Sequence, residues 1–128
     1  MIEINERLTL PEMERILYGN ETVRVSEKLR SQVVASYDFL KEFSKDKVIY
    51  GINTGFGPMA QWRIEDAHLK ELQYNIIRSH STGAGDRIPD ICVRAAMLSR
   101  LMTFLEGHSG VHLSLIHISE PTRLRCIS

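Results

Sequence analysis

Residues 51–58 read Gly-Ile-Asn-Thr-Gly-Phe-Gly-Pro. Three glycines and a proline in eight residues exclude an ordinary helix or a central strand. This stretch is a shaped loop. Its form, G-x-x-x-G-x-G, is not that of a phosphate-binding P-loop, which ends in Gly-Lys-Ser/Thr. It is not the G-x-G-x-x-G dinucleotide fingerprint either, and no βαβ nucleotide unit surrounds it. Glycine at this density permits close backbone approach to a ligand or another chain, or builds a tight surface connector.

The rest of the chain reads as mainly helical. Thr9-Leu10-Pro11-Glu12 predicts a helix start with a capping box, and Pro is tolerated in a first turn that has no use for its missing N–H. Met13, Ile16 and Leu17 make its apolar stripe, and Gly19 is expected to close it in a left-handed conformation. Ile2 and Ile4 alternate with polar neighbours as in a short strand, and Thr22 to Val25 is its expected partner, joined through the helix. Ser26 is expected to cap a second helix carrying Leu29, Val33, Tyr37 and Leu40, fading near Ser44. Val48-Ile49-Tyr50 reads as extended. A third helix is expected from about Ile64 to Ser79, with Leu69, Leu72 and Ile76 on one face. A second glycine-containing loop, His80-Ser81-Thr82-Gly83-Ala84-Gly85, follows. Pro89 begins a fourth helix that is apolar around much of its circumference (Val93, Ala96, Met97, Leu101, Phe104, Leu105), and Gly107 can end it. Such a helix belongs in the interior of something larger. From Leu115 to Ser128 periodicity is lost, Pro121 interrupts, and coil is expected.

Composition narrows the function classes. The chain has 128 residues, one domain or a piece of one, with 43% hydrophobic and 25% charged residues, enough for a packed core. Lys+Arg and Asp+Glu both number 16, so charge gives no argument for nucleic acid or an anionic membrane as partner. No apolar run approaches the roughly 18 residues of a membrane span. The N-terminus lacks the basic and apolar regions of a secretory signal. The two cysteines, Cys92 and Cys126, form no CxxC, so a disulfide framework and a zinc–thiolate site are not expected, and a reducing cytoplasm fits.

Among single residues, Tyr50 opens the glycine loop. Such a tyrosine packs with one partner for its hydroxyl, or acts as a base. A phenol ordinarily titrates near about 10, so a base role requires charge or donors that stabilise the phenolate. His80 suits a helix C-terminus as a cap. His108 and His112 are four apart, a zinc spacing on a helix, but Gly107 and Gly110 spoil the helix there; no metal site is expected. Gly107-His108-Ser109-Gly110-Val111 lacks the last glycine of a nucleophile elbow. Cys92 reads as a small buried hydrophobe.

Taken together, Val48-Ile49-Tyr50-Gly51-Ile52-Asn53-Thr54-Gly55-Phe56-Gly57-Pro58 and Arg78-Ser79-His80-Ser81-Thr82-Gly83-Ala84-Gly85 resemble the N-terminal part of the aromatic amino acid ammonia-lyases, which include histidine, phenylalanine and tyrosine ammonia-lyases. Leu72-Gln73-Tyr74-Asn75, Val93 to Leu98 and Ser109-Gly110-Val111 support the resemblance, which covers roughly residues 1–113. It implies a mainly α fold with a small N-terminal strand pair, and elimination of ammonia from an aromatic L-amino acid. It implies as electrophile a methylidene-imidazolone (MIO) ring made from an internal Ala-Ser-Gly, and assembly as a homotetramer. Tyr50 maps to the base that removes the β-proton, Gly51, Gly55 and Gly57 to the hinges of a lid, and His80 to a residue beside the substrate side chain. A histidine there suits an imidazole or a phenol, so the residue leaves L-histidine and L-tyrosine both open. L-histidine is the expected substrate because that activity is the more widespread in the family, with a tyrosine lyase or aminomutase as alternative.

The chain also departs from the family pattern. Ala-Ser-Gly does not occur in it, so the 128 residues alone are expected to be inactive. The resemblance fades near Ser114, and residues 114–128 are expected to be a non-native tail, the preceding part being a truncated gene. The competing expectation is a genuine short chain acting as a non-catalytic helical interaction module.

Overall fold

The computed structural model describes residues 1–119. The chain forms two compact units, one of Met1–Leu40 with the stretch from Ile88 onward, the other of Lys41–Arg87.

In the first unit, β1 (Ile2–Ile4), α1 (Leu10–Gly19) and β2 (Val23–Val25) follow one another. The strands pair in parallel, Ile2 with Val23 and Ile4 with Val25. Parallel pairing follows from the helical crossover, because a tight turn would have made the pair antiparallel. Alternation sends Ile2, Ile4, Val23 and Val25 inward and leaves Glu3 and Arg24 exposed. At the start of α1 the Glu12 carboxylate accepts from the Thr9 N–H (2.8 Å) and from its hydroxyl (2.7 Å). These bonds hold the Glu12 carboxyl below its ordinary range. The left-handed residue at the helix end is Asn20 (φ 52°), not Gly19, which remains helical. Asparagine tolerates this region better than other side-chain-bearing residues.

Helix α2 (Glu27–Phe43) starts as expected, with Ser26 before its first residue, but the buried Ser26 Oγ has no hydrogen-bond partner among the described residues. Ser26 therefore does not cap through its hydroxyl. Helix α4 (Asp90–Leu105) buries Leu98, Leu101, Met102 and Leu105 along one face. Val93 and Ala96 are exposed, and so is Cys92, contrary to its reading as a buried hydrophobe. Gly107 (φ 71°) ends the helix as expected. A short helix α5 (Ser114–Ser119) replaces the expected coil, and its Ile116 is fully buried. Burying that isoleucine gains about 1.5–3 kcal/mol, a contribution from tertiary packing that the sequence shows no period for. Residues 120–128, including Pro121 and Cys126, lie outside the described residues. The core joins the two strands to Ile16, Leu29, Val33, the α4 face and Ile116.

The second unit contains α3 (Asp66–His80), the glycine loop before it and the His80 loop after it. Val48-Ile49-Tyr50 is not a strand: Val48 and Ile49 are irregular and Tyr50 lies in a turn. Without a partner strand, a three-residue run has nowhere to place its ladder bonds. Among the described residues no helix is long and apolar enough to cross a membrane.

Candidate active site

The glycine loop is folded from its polar residues outward. Asn53 is buried, and both ends of its amide are bonded: Oδ1 accepts from the Ile49 N–H (2.8 Å), while Nδ2 donates to the carbonyls of Lys47 (2.7 Å) and Ser44 (3.2 Å). Thr54 is fully buried; its Oγ1 accepts from the Gly51 N–H (3.3 Å) and donates to the Gly55 carbonyl (2.9 Å). The loop base is closed by a bridge between Thr54 and Arg63, in which Gly55 N–H donates to Trp62 O (3.1 Å) and Ile64 N–H to Asn53 O (2.9 Å). Buried polar side chains are stable only when bonded in this way.

Glycine is required for two distinct reasons. Gly51 adopts φ 79° and Gly57 φ 56°, in the left-handed region that side chains disfavour. Gly55 is needed for closeness: a Cβ there would lie 2.6 Å from Met59 Cβ and 2.8 Å from Met59 O. The residues from Gly57 to Met59 form one 3₁₀ turn.

Tyr50 is exposed, and its ring meets the edge of Phe56 at a centroid distance of 5.8 Å and an interplanar angle of 66°. His80 is the last residue of α3 rather than the first beyond it. Its Nδ1 lies 2.9 Å from Ile76 O and 3.0 Å from Ser79 Oγ. A carbonyl can only accept, so these partners select the tautomer with the proton on Nδ1. Nε2 is then the acceptor, on an exposed ring. Among the described residues no hydrogen bond or ring contact joins Tyr50 to His80; each is held by its own loop or helix.

The other sequence candidates do not assemble. His112 packs edge-on against Tyr37 (5.0 Å between centroids) and shares its Nδ1 with Ser114 Oγ (2.9 Å). Among the described residues no three His, Cys, Asp or Glu side chains gather in a way that could hold a metal ion. Sequence reasoning misses Asn53 and Thr54. Their signal is nonetheless present: Asn and Thr side chains that bond nearby backbone are the usual means of holding an irregular turn.

A family profile described as "Aromatic amino acid lyase" matches residues 8–119, past the point near Ser114 where the recognisable motifs fade. The chain is 41% identical over 105 residues to histidine ammonia-lyase of Geobacillus sp. (strain WCH70), covering 81% of this chain and 21% of that protein. It is 32% identical over 114 residues to histidine ammonia-lyase of Natranaerobius thermophilus, covering 88% of this chain and 22% of that protein. Among solved structures, tyrosine aminomutase from Streptomyces globisporus superposes with a TM-score of 0.84 at 29% identity, covering 96% of this chain and 24% of that one. The chain thus spans about a fifth of the length of the curated relatives it matches. It belongs to the aromatic amino acid lyase family.

Proposed function

We propose that this chain is the base-bearing and substrate-side part of an ammonia-lyase that converts L-histidine to urocanate in its full-length form. The carrying observation is that both family loops are present in one structural unit, with the Tyr50 phenol and the His80 Nε2 exposed. In this reading Tyr50, as phenolate, takes the weakly acidic β-proton, the C–H electron pair becomes the C=C bond, and the protonated α-amino group leaves as ammonia with the C–N pair. A base at the head of a glycine-hinged segment, Gly51, Gly55 and Gly57, can close over substrate and act with water excluded. His80 accepts a hydrogen bond at Nε2 from the N–H of a substrate imidazole, a contact that a phenylalanine side chain cannot make.

The MIO electrophile of the family requires Ala-Ser-Gly, which is absent from these 128 residues. No residue of this chain fits its formation, so the roles assigned to this chain are confined to proton removal by Tyr50 and recognition by His80. For the full-length protein the reading extends to cytoplasmic histidine catabolism and a homotetramer. The second reading, a tyrosine lyase or aminomutase, is favoured by the likeness to the Streptomyces globisporus enzyme, since a phenol O–H can donate to the same Nε2. A non-catalytic helical module is the remaining alternative.

The test is a graft in which residues 8–113 replace the aligned stretch of the Geobacillus enzyme. Ultraviolet assays for urocanate and coumarate then read the substrate. Urocanate formation supports the histidine reading. Coumarate formation moves it to tyrosine, and a folded but inactive graft contradicts both.

A further inference from the structure

The position of Tyr50 is set by its neighbours in the chain rather than by its own side chain. Among the described residues its ring has one aromatic neighbour, Phe56. By contrast, the peptide N–H groups on both sides of it, those of Ile49 and Gly51, each donate to a buried side chain, Asn53 Oδ1 and Thr54 Oγ1. Asn53 in turn ties the loop to Ser44 and Lys47 through its amide nitrogen. The Thr54 hydroxyl donates a hydrogen bond to Gly55 O, at the residue where the loop approaches Met59 too closely for a Cβ. We infer that Asn53 and Thr54 are positioning residues that aim the Tyr50 phenol: Thr54 Oγ1 holds the amide that follows Tyr50, and Asn53 holds Ile49 on the other side, through Oδ1 at its N–H and through its own N–H at its carbonyl. The functional meaning rests on the proposed role of Tyr50 as base; the clamp itself does not.

Thr54 thereby restrains the Tyr50–Gly51 peptide directly, while the Ile49–Tyr50 peptide is held at Ile49 O by the N–H groups of Ile52 (3.1 Å) and Asn53 (3.2 Å), and the Asn53 side chain fixes the peptide before it. Loosening one lets the phenol swing, and a misplacement of about 1 Å in a reacting group can cost roughly 100-fold in rate. Both clamps are buried side chains with their polar atoms turned to the loop's own backbone, so binding should be spared.

The first measurement uses the 128-residue chain. NMR reads amide exchange at Ile49 and Gly51 and the Tyr50 ring signals, with α4 amides as a folding control. Thr54→Val should speed exchange at Gly51 and shift the Tyr50 ring away from its Phe56-shielded position; Thr54→Ser should restore both. Asn53→Asp keeps the acceptor for Ile49 but loses both Nδ2 donors, so it should free the Ser44–Lys47 side while sparing the Ile49 amide. Unchanged Tyr50 signals in Thr54→Val would overturn the inference. The second measurement places the same variants in the active graft. Thr54→Val should lower kcat about tenfold or more with KM within about twofold, and Thr54→Ser should recover it. An unchanged kcat in Thr54→Val, beside a Tyr50→Phe graft that is inactive, would refute the positioning role alone. A Tyr50→Phe graft that stays active would instead remove the base reading and leave the clamp as a structural feature.

Discussion

Different physics holds each of the two units together. In the first, Leu101, Ile16, Ile116 and the β1–β2 side chains are removed from water, and burial supplies the cohesion. In the second, the buried side chains among the described residues are Asn53 and Thr54, and the larger apolar groups, Tyr50, Met59, Trp62 and Ile77, are exposed. Cohesion there comes from hydrogen bonds that fix backbone rather than from an apolar core. The contrast suits the proposed division of labour. A core gives stability and tolerates rearrangement of its volume, whereas a hydrogen-bonded loop dictates the direction of one side chain and remains able to move.

The largest expected effect lies in the core. Leu101→Ala empties a fully buried site and should cost about 2–5 kcal/mol, read as a lowered urea midpoint of the α4 amide signals. A larger loss from any single glycine-loop variant would erase the distinction between the units. Gly55→Ala comes next, at about 1–3 kcal/mol of overpacking, because its Cβ meets Met59 backbone as well as side chain. Its effect should be confined to amides of residues 49–64, and a uniform change across α1 and α4 would contradict that.

Two helix starts divide the first unit further. Thr9→Ala removes a bonded cap and should cost about 1 kcal/mol, seen as fraying of α1 by amide exchange. Ser26→Ala removes a buried hydroxyl that bonds nothing among the described residues, so stability should be unchanged or slightly higher. Equal destabilisation by both would show that Ser26 does cap.

The smallest effect is the acid limb. The carboxyls of Glu12, Glu21 and Glu106 are held below their ordinary range, first by side-chain hydrogen bonds from Thr9, Arg15 and Arg7 respectively. A depressed carboxyl pKa means the unfolded chain takes up protons first, so this contribution is intact above about 4.5 and fades as pH falls through the lower folded values. All three belong to the first unit, and two of them, Arg15–Glu21 and Arg7–Glu106, are ion pairs open to solvent, so added salt should weaken the pH dependence of α1 and α4 signals. A salt-independent acid transition would point to another cause.

The units also differ in how much of them is legible in the sequence. The strand pair, the capping box and the bounds of α2 and α4 follow from patterns one to four residues apart, carried by Ile2, Thr9, Leu29 and Leu101. Ile116 is not legible, because its burial depends on the packing of α5 against α4, which no local period announces. Cys92 misleads for a related reason: α4 is apolar on more faces than the described residues cover. In the glycine loop, the need for Gly51, Gly55 and Gly57 is clear from composition, and family motifs point to Tyr50 and His80. The clamps are hidden, since Asn53 and Thr54 look like ordinary loop polar residues until their partners are known.

The proposed chemistry depends most on Tyr50. In the graft carrying residues 8–113, Tyr50→Phe keeps the ring against Phe56 and removes only the hydroxyl. The expected result is a folded protein whose kcat falls at least about 100-fold, in the range that positioned acid–base groups contribute. A Tyr50→Phe graft that deaminates its substrate at the unaltered rate would contradict the base role.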